Sequence, residues 1–141
     1  MILRDILQSK GDAVFSIPST SSLAEAVRVM VDHRCGSLVV GTGGQMEGII
    51  SERDILRALA EVHKPLENIP IADRMTTRVV TGHPDDDLGK VMGLMTQNRI
   101  RHLPVMNEGK LVGMVSIGDI VKAQYEQLTR ENYFLMNYIQ S

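Results

Sequence analysis

Tryptophan is absent from this 141-residue chain, and aromatic residues make up only 4% of it. The core must therefore be aliphatic, filled by Val, Ile, Leu and nine Met, the last an adaptable filler suited to surfaces that repack around a partner or ligand. A single cysteine, Cys35, excludes an internal disulfide and a zinc cluster built from thiolates. An excess of one charge is missing too: 15 Lys and Arg stand against 17 Asp and Glu, with no basic block. A nucleic-acid binder would normally show a basic stripe, so no nucleic-acid partner is expected. No apolar run approaches the roughly 20 residues of a membrane span. The opening MILRDILQSKG lacks the basic-then-apolar layout of a signal peptide. The expected setting is cytoplasmic, with no membrane partner.

What the chain does have is one phrase written twice. GIISERDILRAL, Gly48 to Leu59, and GMVSIGDIVKAQ, Gly113 to Gln124, each run glycine, two apolar residues, Ser, two variable residues, Asp and an apolar helical stretch. A shift of 65 residues pairs Val14 with Val79, Leu23 with Leu88, Met30 with Met95 and Arg34 with Arg99. Without a gap it also pairs Leu38 with Leu103, Gly48 with Gly113, Ser51 with Ser116 and Asp54 with Asp119. The chain is a tandem duplication.

Each copy reads as strand, helix, strand, strand, helix. Ala13 to Ile17 is β-prone; Ser22 opens a helix with Glu25 in capping-box spacing, and Leu23, Ala26, Val27 and Met30 line one face. Ser37 to Val40 and Glu47 to Ile50 form a hairpin around Thr42 to Gln45, and Ser51 starts the second helix. The expected organisation is an N-terminal helix (1–12), repeat 1 (13–63), a linker with two prolines (64–77), repeat 2 (78–126) and a C-terminal helix (127–141). A unit of about 50 residues cannot cover both faces of its sheet alone. The expected fold is α/β (α+β), two βαββα repeats packed with pseudo-twofold symmetry and a cleft along the seam.

The repeated Ser-x-x-Asp has a plain reading as a helix cap, with an acid in the first turn that suits the helix dipole. Three details point beyond it. Capping boxes prefer the longer Glu or Gln where both copies have Asp. Gly118 weakens the first turn of its helix, which makes sense if something must approach the backbone. A helix mouth after a strand is also an anion site, and an Asp one turn in could accept from two vicinal hydroxyls; phosphate beside a diol means a nucleotide.

Both stretches resemble the signature of CBS domains, named for cystathionine β-synthase, which occur in pairs as Bateman modules. RIRHLPVMNEGKLVGMVSIGDIV, Arg99 to Val121, is especially typical. The resemblance covers nearly the whole chain and is to the small stand-alone bacterial proteins of this type. It implies regulation by an adenosine ligand (AMP, ADP, ATP, sometimes NAD or S-adenosylmethionine) with no required cofactor, no metal and no catalytic step. Carried onto this sequence, Asp54 and Asp119 hold ribose, with Ser51 and Ser116 beside them. Val14, Ser16 and Ile17, and Val79, Val80 and Thr81, sandwich adenine with the start of each second helix, Arg53 in one copy and Ile117 and Gly118 in the other. Arg99, Arg101 and His102 meet phosphate. Arg101 and His102 face Gly36 and Ser37 in the alignment, so two unequal sites are expected, with Ser116–Asp119 favoured. The resemblance further implies a homodimer, a flat disc of two modules, and leaves room for a protein effector.

Other signals are weaker. GTGGQMEG fails the dinucleotide fingerprint at Met46 and reads as a hairpin turn. The four histidines lack metal spacing, HPDDD (His83 to Asp87) reads as a helix start rather than a cation site, and Cys35 as a small buried hydrophobe. Tyr133, Phe134 and Tyr138 either pack the last helix on its own domain or mark a partner surface. The alternative function is a structural dimerisation or adaptor module with vestigial clefts; a small enzyme acting on nucleotides lacks an evident base and nucleophile.

Overall fold

Helices and strands mix in the order the duplication predicts, save for one strand of the second copy. The computed structural model describes residues 1–11 and 13–140, which form two compact units. One comprises Ala13–Val80 with Glu108–Leu111; the other comprises Met1–Asp12, Thr81–Asn107 and Val112–Ser141. They are called the continuous and the split unit.

In the continuous unit, β1 (Ser16–Ile17), α2 (Leu23–His33), β2 (Ser37–Val40), β3 (Gly48–Ser51) and α3 (Glu52–Glu61) follow one another. Strand β2 pairs parallel with β1 and antiparallel with β3, in the register Ser37 to Ser51 and Val40 to Gly48. The Ser22 hydroxyl caps α2 by accepting from Glu25 N at 3.2 Å. Gly41, Gly43 and Gly44 all take positive φ in the hairpin loop, which is a turn and not a phosphate cradle. Ile17, Leu23, Met30, Leu38, Val40, Ile50, Ile55 and Ile71 fill the core.

The split unit contains α1 (Leu3–Lys10), α4 (Leu88–Asn98), β4 (His102–Asn107), all but the first two residues of β5 (Lys110–Ser116), and α5 (Ile117–Gln140). Leu3, Ile6, Leu88, Val91, Met95, Leu103, Val105, Val115 and Ile120 are its buried apolar residues. The strand expected at Val79 to Thr81 does not form. It is reduced to one parallel bridge, Gly82 to Val105, the counterpart of Ile17 to Val40. The reason is Pro104: its counterpart Val39 donates N–H to Phe15 O at 3.1 Å, and proline has no N–H to give. The second repeat's last helix and the C-terminal helix are likewise one element, α5, because no Gly or Pro interrupts residues 119–140.

Helix α1 occupies the place that the inter-repeat connector takes in the other copy. In the split unit Asp86 O accepts from Leu3 N at 3.0 Å, and Leu88 N donates to Met1 O at 3.1 Å. In the continuous unit the matching groups, Ser21 O and Leu23 N, bond Ile71 N at 2.8 Å and Ile69 O at 2.9 Å. Pro65 and Pro70 limit the connector to two short 3₁₀ turns, Leu66–Asn68 and Ile71–Asp73, where α1 is helical.

Candidate functional site

Each repeat ends its hairpin at a helix mouth, and there the Ser and Asp meet. Asp54 Oδ2 accepts from Ser51 N at 2.9 Å and from Ser51 Oγ at 3.0 Å, while Ser51 Oγ accepts from Asp54 N at 3.3 Å. Asp119 Oδ2 accepts from Ser116 N at 2.8 Å, and Ser116 Oγ from Asp119 N at 3.0 Å. Both pairs are complete capping boxes. This corrects the expectation that Asp is too short for the role: at this position its carboxylate folds back onto the cap amide. Within the chain itself, nothing requires a glycine at position 118. A Cβ there would meet only Ser116 Oγ, at an ordinary 3.6 Å, and its φ is not positive.

Outside the caps the two mouths differ. Asp54 Oδ1 accepts from Thr76 Oγ1 at 3.4 Å, a long contact. The counterpart of Thr76 is Gly11, which carries no hydroxyl, and among the described residues no bond is made to Asp119 Oδ1. Asp119 Oδ2 instead meets Lys10 Nζ at 2.7 Å, and the same ammonium donates to Met114 O at 2.9 Å. Burial works against ionisation of Asp119, but the Lys10 ammonium and the Ser116 amide outweigh it and hold the carboxyl below the usual aspartate range. Lys10 was not foreseen. Extending the 65-residue alignment upstream of Val14 would have paired it with Met75 and exposed the inequality.

A second difference lies across each mouth. Glu52 N donates to Gly36 O and, at the matched positions, Ile117 N to Arg101 O, at 3.0 and 2.8 Å. A Cβ on Gly36 would lie 2.9 Å from Glu52 Oε1, so the continuous unit carries an anion where the split unit has Arg101 and Ile117.

The other expected residues are placed as follows. Ile17 is buried and Val14 half-buried, with Ser16 exposed on β1; Val79 and Val80 are half-buried in the continuous unit, and exposed Thr81 opens the split unit's second segment. Arg53, Arg99 and Arg101 are exposed and His102 is half-buried at the start of β4. Arg99 terminates α4 in the left-handed conformation, φ 54°, as Arg34 terminates α2 at φ 52°. Two open hollows lie within single units. One of about 310 Å³ sits by Leu7, Pro84 and Val112, and one of about 490 Å³ by Met30, Cys35 and Leu56. Neither is lined by Ser51, Asp54, Ser116 or Asp119.

The HPDDD run is consumed by structure. Arg4 pairs with Asp85 at 2.7 Å, Asp86 Oδ2 accepts from His83 N at 2.8 Å, and Asp87 caps α4 through Lys90 N at 3.2 Å. Among the described residues no group of three His, Cys, Asp or Glu could hold a metal ion. Burial pushes the Cys35 thiol up, away from nucleophilic use.

The depressed carboxyl of Asp119 makes a prediction. Its contribution to stability is fully present above about pH 4 and is lost as pH falls through the folded value. Lys10→Met should raise the Asp119 titration midpoint, read by carboxyl-carbon NMR. An unchanged midpoint would show that the ion pair does not persist in solution.

A CBS-domain family model matches residues 3–61 and 69–126. The chain is similar to an Arabidopsis thaliana protein described as "CBS domain-containing protein CBSX3, mitochondrial", at 35% identity over 98% of this chain and 71% of that one. It is similar to the CBS domain pair of protein MJ0100, solved with 5′-methylthioadenosine and S-adenosyl-L-methionine. That match has TM-score 0.78 and 28% identity, covering 90% of this chain and 98% of that one. A third similarity is to the Pyrobaculum aerophilum CBS domain protein PAE2072 complexed with AMP, at TM-score 0.73 and 28% identity over 84% and 89% of the two chains. No helix among the described residues is long and apolar enough to cross a membrane.

Proposed function

The chain belongs to the CBS-domain family, and from that premise we propose that it is a regulatory module which binds an adenine nucleotide at the Ser116–Asp119 mouth. The observation that carries this choice of site is the carboxylate of Asp119. One of its oxygens closes the helix cap, and the other makes no bond among the described residues, so it can accept from two ribose hydroxyls. Arg101 and the positive end of the α5 dipole supply the cationic side for phosphate. The Asp54 mouth suits an anion less, since Glu52 stands beside Gly36 and Thr76 reaches Asp54 Oδ1. Neighbours solved with AMP and with S-adenosylmethionine support an adenosine ligand.

Binding changes shape or assembly only through differential affinity for two arrangements, and no bond is made or broken. In this reading the protein works in the cytoplasm, as a homodimer. Signal output through a protein effector belongs to the same proposal.

Thermal melting against AMP, ADP, ATP, NAD and S-adenosylmethionine tests it. A ligand at a hundredfold excess over its Kd adds about 2.7 kcal/mol, which raises Tm by several degrees for a chain of this size. Asp119→Ala should remove that rise while the protein still melts cooperatively, and Asp54→Ala should leave most of it. Flat curves with all five compounds would favour the adaptor reading. Equal loss in both variants would show two equivalent sites.

A further inference from the structure

The ammonium of Lys10 touches the one carboxylate on which the nucleotide reading rests. It lies 2.7 Å from Asp119 Oδ2 and donates to Met114 O at 2.9 Å. An ammonium carries three protons, and among the described residues the third makes no bond. The two paired side chains are 37 and 26% exposed, so salt screens them less than a pair standing on an open surface. Lys10 is the last residue of α1, and that helix is pinned at its other end where Leu3 N donates to Asp86 O. The charge is therefore held at the mouth by the fold and not brought there by a free arm.

We infer that Lys10 sets the charge of the ligand: the Asp119 mouth takes an adenosine with a phosphate at its 5′ carbon and rejects one with a sulfonium there. Resting on the nucleotide reading above, this role narrows the ligand to one chemical class. Charge balance carries it. Lys10 and Arg101 stand at this mouth against Asp119, two cations against one anion. A carboxylate that accepts from ribose hydroxyls is still an anion, so the surplus stays positive with the sugar in place. Without Lys10 these side chains would cancel, leaving only the helix dipole, which both mouths share. The Asp54 mouth has the opposite sum, Glu52 and Asp54 against Arg53. There Thr76 Oγ1, an uncharged donor, stands at the carboxylate. The 5′ substituent hangs from the same ribose, well inside the ~8 Å over which charges act at physiological salt. A sulfonium meets the surplus as a like charge, which is a penalty and not merely a missing bond.

Isothermal titration of the full chain with AMP, adenosine and S-adenosylmethionine is the test, in an Asp54→Ala background so that one mouth is read. Adenosine is the uncharged reference. AMP should bind most tightly and S-adenosylmethionine least. Lys10→Met should cut the AMP-to-adenosine affinity ratio roughly tenfold, near the low end for a hydrogen bond to a charged group. It should also bring S-adenosylmethionine up toward adenosine. Lys10→Arg, which keeps the charge, should keep most of the ratio. A purely structural role would loosen the mouth for all three ligands and leave the ratio alone. Added salt should shrink the ratio in the parent chain and much less in Lys10→Met. An unchanged ratio in Lys10→Met, or an equal loss in Lys10→Arg, overturns the inference and leaves nucleotide binding standing. A parent chain that prefers S-adenosylmethionine to AMP overturns it too. Binding of none of the three brings down the nucleotide reading and this role with it.

Discussion

Leu3→Ala is expected to destabilise the protein by about 3 kcal/mol, the usual cost of emptying a leucine-sized space in a core. Leu3 is fully buried, and its backbone amide is bonded to Asp86 O. Its side chain also approaches Gly82, whose hypothetical Cβ would come within 2.9 Å of Leu3 Cδ1. The truncation therefore opens a void where α1 meets the bridge that replaces a strand, and neither rigid neighbour can close it. The fall in Tm should be roughly 10 °C, read by circular dichroism. The value is diagnostic because a terminal helix that merely leans on a finished domain would lose little. A loss under about 1 kcal/mol would place Leu3 among ordinary surface-helix residues and show that α1 is an accessory, not a structural part of the split unit.

The second large effect is expected at Gly48. Its φ is not positive, so alanine suits the backbone, and in the unfolded chain alanine would gain about 0.4–1 kcal/mol. Space decides against it. A Cβ at Gly48 would lie 2.6 Å from Thr76 O and 3.1 Å from Met75 Sδ. Thr76 cannot retreat, because its N–H and C=O are both bonded to Ile49, at 2.8 and 2.9 Å. Relief has to come from breaking that bridge, and a net loss of about 2 kcal/mol follows, at the upper side of ordinary overpacking once the unfolded-state gain is subtracted. The matched substitution, Gly113→Ala, meets the tip of Leu7 at 2.5 Å. A leucine tip can rotate where a bonded carbonyl cannot, so Gly113→Ala should cost about half as much. Chemical denaturation of the two variants orders them, and the reverse order would show that the connector yields more readily than α1.

Much of this architecture could be read from the chain because duplication states each instruction twice. Ser22 and Ser51 cap the helices they precede, and the β2–β3 hairpin closes where the glycines cluster. What stayed hidden falls where one copy departs from the other for a reason that a residue pattern does not display. Val79 to Thr81 has the β-branched composition of a strand, yet strand formation depended on a donor at Pro104, distant in sequence. The length of α5 was hidden by reading repeat and tail as separate, although nothing between them stops a helix. The capping geometry of Asp54 and Asp119 was legible in kind, and misjudged only in reach. Lys10 lies upstream of the matched repeats, so the ion pair that separates the two mouths emerges only from tertiary structure.

The split unit has a consequence for how the protein is made. Its first segment, with α1, leaves the ribosome before the rest, and its remaining pieces begin only at Thr81. Synthesis therefore delivers most of the intervening body while α1 still waits for Asp86 and Leu88, the groups that will anchor it. Until they emerge, Leu3 and Ile6 remain a greasy nascent stretch, exposed for dozens of codons and a natural foothold for a chaperone.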